Sequence, residues 1–379
     1  MKEAARAAAG SCAVLGLLIS GAATVGAGRQ AAEERTRALF SGLVHDGDPG
    51  AAVLVAKDGR ILFERGYGVT DLRTLRRIDS RTNFRLASVT KQFTAAAVML
   101  LVREGKLSYE DTLTSVFPGY PEYGRTITIR HLLNHTSGLP DYEDLMPTAD
   151  PALPVEKAQI RDAGVLELLK KQEKGKFVPG SKWAYSNSGY VVLGLVIEKI
   201  SGRPFPDFLR ERVFEPLGME GTMAYVRGAN EVPNRAFGHS REAGAWRETD
   251  QSPTSATLGD GGIYSSLADL LKWDEALRRH TLLSEAEMRP ALTPVRVPEQ
   301  SPQEPDGAPA EYGFGWFLNP WQGRPRMWHY GESIGFRTAI QRFTADGLTA
   351  VVLANRADLS AADLALKTAG FSLEEKDHP

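Results

Sequence analysis

The chain has 379 residues, of which 42% are apolar, and its formal net charge at pH 7 is -2. A chain of this length and apolar content can bury a sizeable core, so neither a disordered chain nor a bundle of membrane helices fits the composition. The near balance of charge argues against nucleic acid as a partner, because nucleic-acid binding calls for an excess of basic residues.

The first 27 residues have the pattern of a signal peptide. A basic start that contains Lys2 and Arg6 precedes an apolar run from Cys12 to Ile19, and small residues follow. The apolar run is shorter than the ~20 residues that cross a bilayer, although an uncleaved anchor remains the alternative. We therefore expect export to the periplasm or the medium and no stable membrane span in the mature chain. Cys12 is the only cysteine, so a cleaved mature chain has no thiol. Thiol catalysis, disulfides and cysteine zinc sites are then excluded.

Two β-hairpins are predicted at opposite ends of the mature chain. Each consists of two β-rich runs joined by an Asp-Gly pair, which is a strong signal for a tight turn. The turns are Asp58-Gly59 and Asp346-Gly347, and the strands fall within about residues 50–68 and 326–355. Strands from both ends can pair in one antiparallel sheet, which predicts that residues 28–379 form a single domain.

Residues 80–310, between the hairpins, carry mainly helical signals. Helices are predicted over Ser88–Glu104, over Tyr190–Ile200, and from Ser266 onward, where Ser266 and Asp269 resemble a capping pair. The proline-rich residues 294–309 are predicted to form a surface loop. The predicted fold class is α/β (α+β): an antiparallel sheet built from N- and C-terminal strands, flanked by helices, with a large helical middle region.

Ser88 and Lys91, at the start of the first predicted helix, are the strongest candidates for catalysis. A helix places positions i and i+3 on one face, so Lys91 can take the proton of Ser88, whose hydroxyl is a poor nucleophile without a base. Burial can lower the pKa of a lysine, and N–H groups at a helix start suit developing oxyanion charge. The same spacing also arises by chance, and a capping serine followed by a solvated lysine is the alternative.

Tyr185 and Asn187 form a second candidate group, directly before the apolar run at Tyr190. A tyrosine near a lysine can shuttle protons, because an ammonium group lowers the pKa of a phenol. Asn187 offers both a donor and an acceptor, which suits it to hold Lys91 and a substrate amide. A turn tyrosine followed by an asparagine cap is the alternative.

His329 and Gly331 form the third candidate group and lead into the last strands. A histidine there can supply a hydrogen bond or a charge to an anionic substrate end, and Gly331 allows close approach of the backbone. The same spacing occurs at His45 and Gly47, in a turn rich in Gly and Asp, so this pattern alone is not specific.

In their order and spacing, the three groups together resemble the serine β-lactamase and penicillin-binding-protein superfamily. The resemblance is to its class C-like branch of esterases and D-amino-acid peptidases, and it runs from about Pro49 to Asn355. Flanking stretches that also resemble the family are FRLASVTK (84–91), IRHLLNHTSGLP (129–140), GDGGIYS (259–265) and YGFGW (312–316).

The resemblance implies a covalent acyl-enzyme mechanism. Ser88 is expected to attack a carbonyl, while Lys91 and Tyr185 transfer its proton to the leaving group. The backbone N–H groups of Ser88 and Glu332 are expected to form the oxyanion hole.

The remaining motif residues are expected at substrate-binding positions, namely Asn187, His329 and Gly331. The reaction needs no metal and no organic cofactor. The partner is a small-molecule ester, amide or peptide, with no nucleic acid, and the oligomeric state is left open.

One residue departs from the β-lactamase pattern. His329 stands where β-lactamases of this superfamily usually carry a lysine, whereas histidine is common among the esterase and peptidase relatives. An esterase or peptidase is therefore expected rather than an efficient β-lactamase. Lys367-Thr368-Ala369 superficially matches the lysine form, but it follows the strands in a predicted C-terminal helix and is interpreted as surface.

Two other groups of polar residues are weaker candidates. His131 and His135 have the spacing of zinc ligands on a helix, but Leu132-Leu133 replaces the expected Glu and no third ligand is evident, so packing roles are predicted. Asp260 and Asp269 suit acid-base catalysis but also suit turns and helix caps.

Three functional hypotheses follow from the sequence. The first is an exported serine hydrolase of small esters or amides, and the second is a β-lactamase or D-alanyl-D-alanine carboxypeptidase. The third is a non-catalytic protein of the same fold that binds cell-wall peptides, against which the presence of Ser88, Lys91 and Tyr185 argues. The sequence does not fix the acyl group, the leaving group, hydrolysis of β-lactams, or periplasm versus extracellular space.

Overall fold

The computed structural model describes residues 28–148, 153–304 and 306–374. The segment predicted as a signal peptide, residues 1–27, lies outside the described residues, so its cleavage stays a prediction. In the described parts of the chain, no helix combines the length and apolarity that crossing a membrane requires.

The described residues contain the strands and helices that follow, numbered in chain order. The strands are β1 (Ala51–Lys57), β2 (Arg60–Tyr67), β3 (Phe84–Arg85), β4 (Met223–Ala224), β5 (His239–Glu242), β6 (Ala245–Glu248), β7 (Ile263–Ser265), β8 (Arg326–Ser333), β9 (Phe336–Phe343) and β10 (Leu348–Ala354). The helices are α1 (residues 28–43), α2 (Lys91–Arg103), α3 (Leu113–Val116), α4 (Ile129–Leu133), α5 (Tyr142–Leu145), α6 (Val155–Ala158), α7 (Asp162–Lys170), α8 (Asn187–Ser201), α9 (Phe205–Leu209), α10 (Leu267–Arg278), α11 (Glu285–Met288) and α12 (Ala361–Leu373).

A five-stranded antiparallel sheet joins the two ends of the chain. Its strand order is β2-β1-β10-β9-β8, so the N-terminal hairpin pairs with the C-terminal strands through β1 and β10. The register of that pair runs from Ala51 opposite Ala354 to Lys57 opposite Leu348. The predicted fold class, an antiparallel sheet shared by both ends with a helical region between them, is confirmed.

The two Asp-Gly turns differ in length. Asp58 and Gly59 form a two-residue loop and have φ angles of 51° and 76°, which a tight hairpin turn of this hand requires. The C-terminal hairpin closes over four residues, 344–347, of which only Gly347 has a positive φ, 63°. Both hairpins are present as predicted, and the second has the longer loop.

The sheet separates two hydrophobic clusters, and β1 contributes side chains to both. Ala52 and Leu54 face the large cluster built by the helical region, whereas Ala51, Val53 and Val55 face the cluster formed with α1 and α12. Side chains alternate between the faces of a strand, so a continuous apolar run is required where both faces are covered. At the far edge of the same sheet, β8 contacts the turn over Ala87–Thr90.

The helices that begin near the candidate residues start within a few residues of their predicted positions. A 3₁₀ turn over Ala87–Thr90 leads directly into α2. Helix α8 begins three residues earlier than predicted, because the Ser186 side chain accepts the N–H of Gly189 and caps it. Helix α10 begins after Ser266, whose side chain accepts the N–H of Asp269, as the predicted pair requires.

Two surface predictions have different outcomes. Residues 294–304 and 306–309 form a largely exposed loop without helix, as predicted. The interpretation of Lys367-Thr368-Ala369 as surface is wrong for two of its three residues. Lys367 is exposed, but Thr368 and Ala369 are buried because this side of α12 packs against the sheet.

Candidate active site

Ser88 lies in a sharp turn between β3 and α2. Ala87, directly before it, has a φ of 48°, a left-handed conformation that is strained for a residue with a Cβ atom. Ala87 and Val89 are buried, whereas Ser88 is partly exposed and lines a cleft of about 100 Å³. The turn therefore presents the Ser88 hydroxyl to solvent from an otherwise buried segment.

Lys91, one turn further, has its amino group beside Ser88. Its Nζ atom lies 3.0 Å from Ser88 Oγ, 2.9 Å from Asn187 Oδ1 and 3.0 Å from the carbonyl oxygen of Asp260. A neutral amine has two N–H donors, which the amide and carbonyl oxygens accept, and its lone pair is then directed at the Ser88 hydroxyl. The arrangement suits a base that receives the serine proton, because the resulting ammonium finds three acceptors.

The environment of Lys91 makes this neutral form accessible near physiological pH. The residue is fully buried, and burial lowers its pKa to about 8, against the opposing effect of the carboxylates of Asp260, Asp141 and Glu143. The Nζ atom also lies 4.8 Å from the ring centre of Tyr185. The charged and neutral forms are thus close in free energy, as a proton-transfer residue requires.

Tyr185 contacts the pair through its ring and its hydroxyl. Burial raises the pKa of the Tyr185 hydroxyl well above its ordinary value, and a hydrogen bond with Ser88 only partly offsets this effect. The expectation that the lysine lowers this pKa is wrong, because loss of water around the phenol outweighs the nearby charge. Tyr185 is therefore a neutral phenol beside Ser88, able to pass a proton on but not to act as a resting phenolate base.

Asn187 connects Lys91 to the cleft. Its Oδ1 atom accepts from Lys91, while its Nδ2 atom lies 3.5 Å from Glu143 Oε1, at the outer limit of a hydrogen bond. Asn187 lies in the first turn of α8, so the helix fixes its backbone. The structure thus brings Asn187 to the predicted place, with its amide N–H₂ directed toward the cleft.

The edge strand β8 passes the Ser88 turn and carries Glu332, whose N–H is predicted as the second oxyanion donor. The N–H of Trp328 bonds to Phe317 outside the sheet, and successive N–H groups of a strand alternate between its two sides. The N–H of Glu332, four residues on, therefore points off the same free edge. Ser88 and Glu332 both line the cleft, so the geometry agrees with two N–H donors at one site.

Gly331 allows β8 to approach the Ser88 turn this closely. A Cβ atom at this position would overlap the carbonyl oxygen of Leu86 and would lie 2.6 Å from Thr338 Oγ1 and 2.9 Å from Ser88 N. Thr338 Oγ1 itself donates to Leu86 O over 2.7 Å and ties β9 to the turn. Only glycine fits between these backbone atoms.

Gly331→Ala should lower kcat/KM by about 100-fold, because moving β8 away from the turn separates the two oxyanion donors. Gly119→Ala is the matched control, since a Cβ atom there meets nothing within 4 Å. Steady-state kinetics on a nitrophenyl ester measure the effect, and thermal unfolding verifies that both variants fold. Activity of Gly331→Ala equal to that of Gly119→Ala would contradict this role of β8.

His329 lies behind the site rather than in the cleft. Its side chain is fully buried, and its ring lies 6.2 Å from that of Tyr185, centre to centre. Burial and the charge of Lys91 lower the pKa of His329 to about 3, so the ring is neutral. The expectation that His329 offers a hydrogen bond or a charge directly to substrate is therefore wrong, because the ring is enclosed by protein.

A chain of hydrogen bonds runs from His329 through Tyr312 to His135. His329 Nδ1 lies 2.6 Å from the carbonyl oxygen of Tyr330 and must donate, so its Nε2 accepts from Tyr312 OH over 3.2 Å. His135 Nε2 then donates to Tyr312 over 3.1 Å, and its Nδ1 accepts the N–H of Ser186 over 3.1 Å. Every donor meets an acceptor when both rings are neutral.

This chain positions the segment that carries Tyr185. The His135 ring lies 4.3 Å from that of Tyr185, and its Nδ1 holds the N–H of Ser186, the cap of α8. Burial, with further effects from Lys91 and His329, lowers the pKa of His135 well below its ordinary value. From the sequence, His135 is predicted to have only a packing role and Tyr312 none, although both lie in stretches that resemble the family.

The remaining sequence candidates separate in space. His131 Nδ1 accepts the N–H of Thr128 and so caps α4. Both ring nitrogens of His135 take part in the hydrogen-bond network described above. No group of three metal-ligating side chains is found among the described residues. The carboxylate of Asp269 accepts from the N–H of Gly221 and the hydroxyl of Thr222, which is a structural role.

Comparison with known proteins gives matches along most of the chain. The Beta-lactamase family model matches residues 36–373. Penicillin-binding protein 4* of Bacillus subtilis (strain 168) is 33% identical over 341 residues, covering 86% of this chain and 73% of that protein. A D-aminopeptidase of Brucella canis (strain ATCC 23365 / NCTC 10854 / RM-666) is 30% identical over 331 residues, covering 86% of this chain but only 60% of that protein. The crystal structure of a penicillin-binding protein from Bacillus halodurans matches with a TM-score of 0.73 at 27% identity, covering 90% of this chain and 98% of that one.

Proposed function

The chain belongs to the beta-lactamase family, and from this premise we propose that it is an exported serine hydrolase that forms an acyl-enzyme on Ser88 and hydrolyses small esters or amides. The observation that supports the proposal most is the set of contacts around Lys91, in which two acceptors take its N–H groups and the third contact is Ser88 Oγ. Export rests on the sequence pattern of residues 1–27.

In the first half of the reaction, Ser88 becomes acylated. Neutral Lys91 takes the hydroxyl proton as Ser88 Oγ forms a bond to the substrate carbonyl carbon, and the carbonyl π electrons move to its oxygen. The N–H groups of Ser88 and Glu332 donate to this oxyanion. The proton then passes from Lys91, directly or through the neutral Tyr185 hydroxyl, to the leaving oxygen or nitrogen as its bond to the carbonyl carbon breaks.

In the second half, water replaces the departed group. Lys91 is again a neutral amine, so it takes a proton from water as the water oxygen attacks the ester carbonyl on Ser88. The same two N–H groups hold the second oxyanion. Ser88 Oγ leaves with the proton held by Lys91, and the acid product is released, which restores the starting state.

The rate of acylation should follow the ionisation of Lys91. Because the base acts as a neutral amine and burial lowers its pKa to about 8, kcat/KM should rise about tenfold per pH unit below pH 8 and level off above it. The pKa of His329 is about 3, so this residue adds no further transition between pH 6 and 9. Hydrolysis of p-nitrophenyl propionate across that range, after subtraction of the Ser88→Ala background, measures the profile. A flat profile between pH 6 and 8 would contradict the role of Lys91.

Hydrolysis of peptides that contain D-amino acids is a second candidate function. It is favoured by relatives at 33% and 30% identity that are named as a penicillin-binding protein and a D-aminopeptidase. Relative kcat/KM on p-nitrophenyl propionate, a D-alanyl peptide and a cephalosporin separates the candidates. Turnover of the cephalosporin alone would contradict both candidates in favour of a β-lactamase.

A further inference from the structure

Carboxylates line the cleft on the Lys91 side of Ser88. Asp260 and Glu143 both border it, together with Tyr142 and Asn187. Asp260 lies directly behind the base, because its backbone carbonyl oxygen is 3.0 Å from Lys91 Nζ. We call Asp260, Glu143, Tyr142 and Asn187 the acidic pocket.

Asp260 has an unused hydrogen-bonding atom in this pocket. Its side chain is only 6% exposed, and Oδ2 accepts a long hydrogen bond of 3.4 Å from Tyr142 OH. Within the described parts of the chain, Oδ1 is buried and has no hydrogen-bond partner. A buried carboxylate oxygen without a donor is costly, so the atom points to a ligand that supplies one.

Glu143 adds a second carboxylate, for whose side chain the described residues provide only one long hydrogen bond. Its contact with the Asn187 side-chain amide is 3.5 Å long. Burial raises the pKa of Glu143, and repulsion from Asp141 and Asp260 raises it further. Carboxylates that repel one another in a partly buried pocket are stabilised by a cation placed between them.

The neighbouring protein cations do not meet this need. Arg85, which also borders the cleft, donates to the carbonyl oxygen of Ser255 over 3.0 Å. Lys91 directs its amino group at Ser88, Asn187 and the backbone of Asp260. The described carboxylates do not form a group that could hold a metal ion, whereas an ammonium group brings the N–H donors that Asp260 Oδ1 lacks.

We propose that the acidic pocket binds a free ammonium group on the acyl part of the substrate, so that aminoacyl esters and amides are the preferred acyl donors of the site. This inference rests on the proposed function of Ser88. The acyl part stays bonded to Ser88 through both halves of the reaction, so an ammonium near its carbonyl is held beside the pocket throughout. A charge on the leaving group would be lost after the first half.

The test compares two substrates that differ only in the amino group, alanine p-nitroanilide (both enantiomers) and propionic acid p-nitroanilide, at pH 7. The readout is the ratio of their kcat/KM values, since any general loss of activity in a variant cancels in the ratio. The wild-type ratio should favour the better alanyl enantiomer, and Asp260→Asn and Glu143→Gln should each lower this ratio by about tenfold or more. Asp144→Asn is the matched control, because Asp144 follows Glu143 in the chain but does not line the cleft and is paired with Lys176.

The outcomes distinguish a failure of the acidic pocket from a failure of the proposed hydrolase activity. Ser88-dependent hydrolysis of p-nitrophenyl propionate with an alanyl ratio that Asp260→Asn and Glu143→Gln leave unchanged would overturn the acidic pocket but not the hydrolase. A preference for cationic substrates that is found only when the cation lies in the leaving group would also overturn the acidic pocket. Absence of any Ser88-dependent hydrolysis would overturn the proposed function and, with it, this inference.

Discussion

Ser88→Ala is expected to lower kcat/KM for ester hydrolysis by about 10⁴-fold or more, because the covalent route ends when its nucleophile is removed. Any remaining rate would come from the oxyanion donors and the cleft, which polarise the carbonyl without forming a bond to it. The hydroxyl occupies a partly exposed position in the turn, so its loss should change the free energy of unfolding by about 1 kcal/mol or less.

The measurement is steady-state hydrolysis of p-nitrophenyl propionate by wild type and variant. Ser301→Ala is the control, because Ser301 is an exposed serine in the loop that follows α11. Equal circular dichroism and melting temperature establish that the variant is folded. Activity of folded Ser88→Ala within tenfold of wild type would assign the nucleophile to another residue.

Lys91→Ala is expected to lower kcat/KM by about 10³-fold or more while leaving Ser88 in place. Without the amine, the Ser88 hydroxyl has no buried base beside it, and the oxygens of Asn187 and Asp260 lose their donor. Two acceptors left unpaired also destabilise the fold, by about 1–3 kcal/mol each.

Lys91→Met separates the loss of the base from the loss of side-chain volume that Lys91→Ala also causes. Methionine keeps much of the length of the lysine side chain but has no basic nitrogen, so its kcat/KM should fall as far as that of Lys91→Ala even where stability is better preserved. Both variants are compared by kinetics and by chemical unfolding. If Lys91→Met kept more than a tenth of the wild-type kcat/KM, proton transfer would have to be assigned to another group.

The sheet could be predicted from the sequence because its signals are local. Asp58-Gly59 lies between two β-rich runs, and both of its residues adopt the positive φ that such a pair tolerates. The apolar run of β1 likewise predicts a strand covered on both faces. That strands from both ends share one sheet is a prediction of the hairpin pattern, whereas the pairing of β1 with β10, nearly 300 residues away, is given by the structure alone.

The proximity of the candidate residues was predicted partly by spacing and partly by resemblance. Ser88 and Lys91 are three residues apart, so a helical turn alone brings them together. Asn187 lies 96 residues after Lys91, so no local spacing brings the two together. The resemblance to a family supports their proximity, and the structure places Lys91 Nζ 2.9 Å from Asn187 Oδ1.

The electrostatic state of the site could not be predicted, because it depends on what the fold excludes from water. Tyr185 next to a lysine suggests a lowered pKa, yet enclosure of the phenol raises it. The sequence predicts that His329 offers a hydrogen bond or a charge to the substrate. In the structure its ring packs against Phe317 and accepts a hydrogen bond from Tyr312, so it is a buried, neutral member of a hydrogen-bond network. The hydrogen bond that Asp260 accepts from Lys91 is made by its backbone oxygen, which no side-chain pattern reveals.

The most direct measurement of the central claim, an activated nucleophile at Ser88, is the intact mass of the protein after exposure to a fluorophosphonate, with Ser88→Ala and Ser301→Ala treated in parallel. The account predicts a single adduct on wild type and on Ser301→Ala, none on Ser88→Ala, and labelling that slows as the pH falls below 8 and Lys91 becomes protonated. An adduct that persists on Ser88→Ala would contradict the account by placing the reactive group elsewhere. Folded wild type that takes up neither the probe nor an ester acyl group would contradict it in favour of a non-catalytic binding protein.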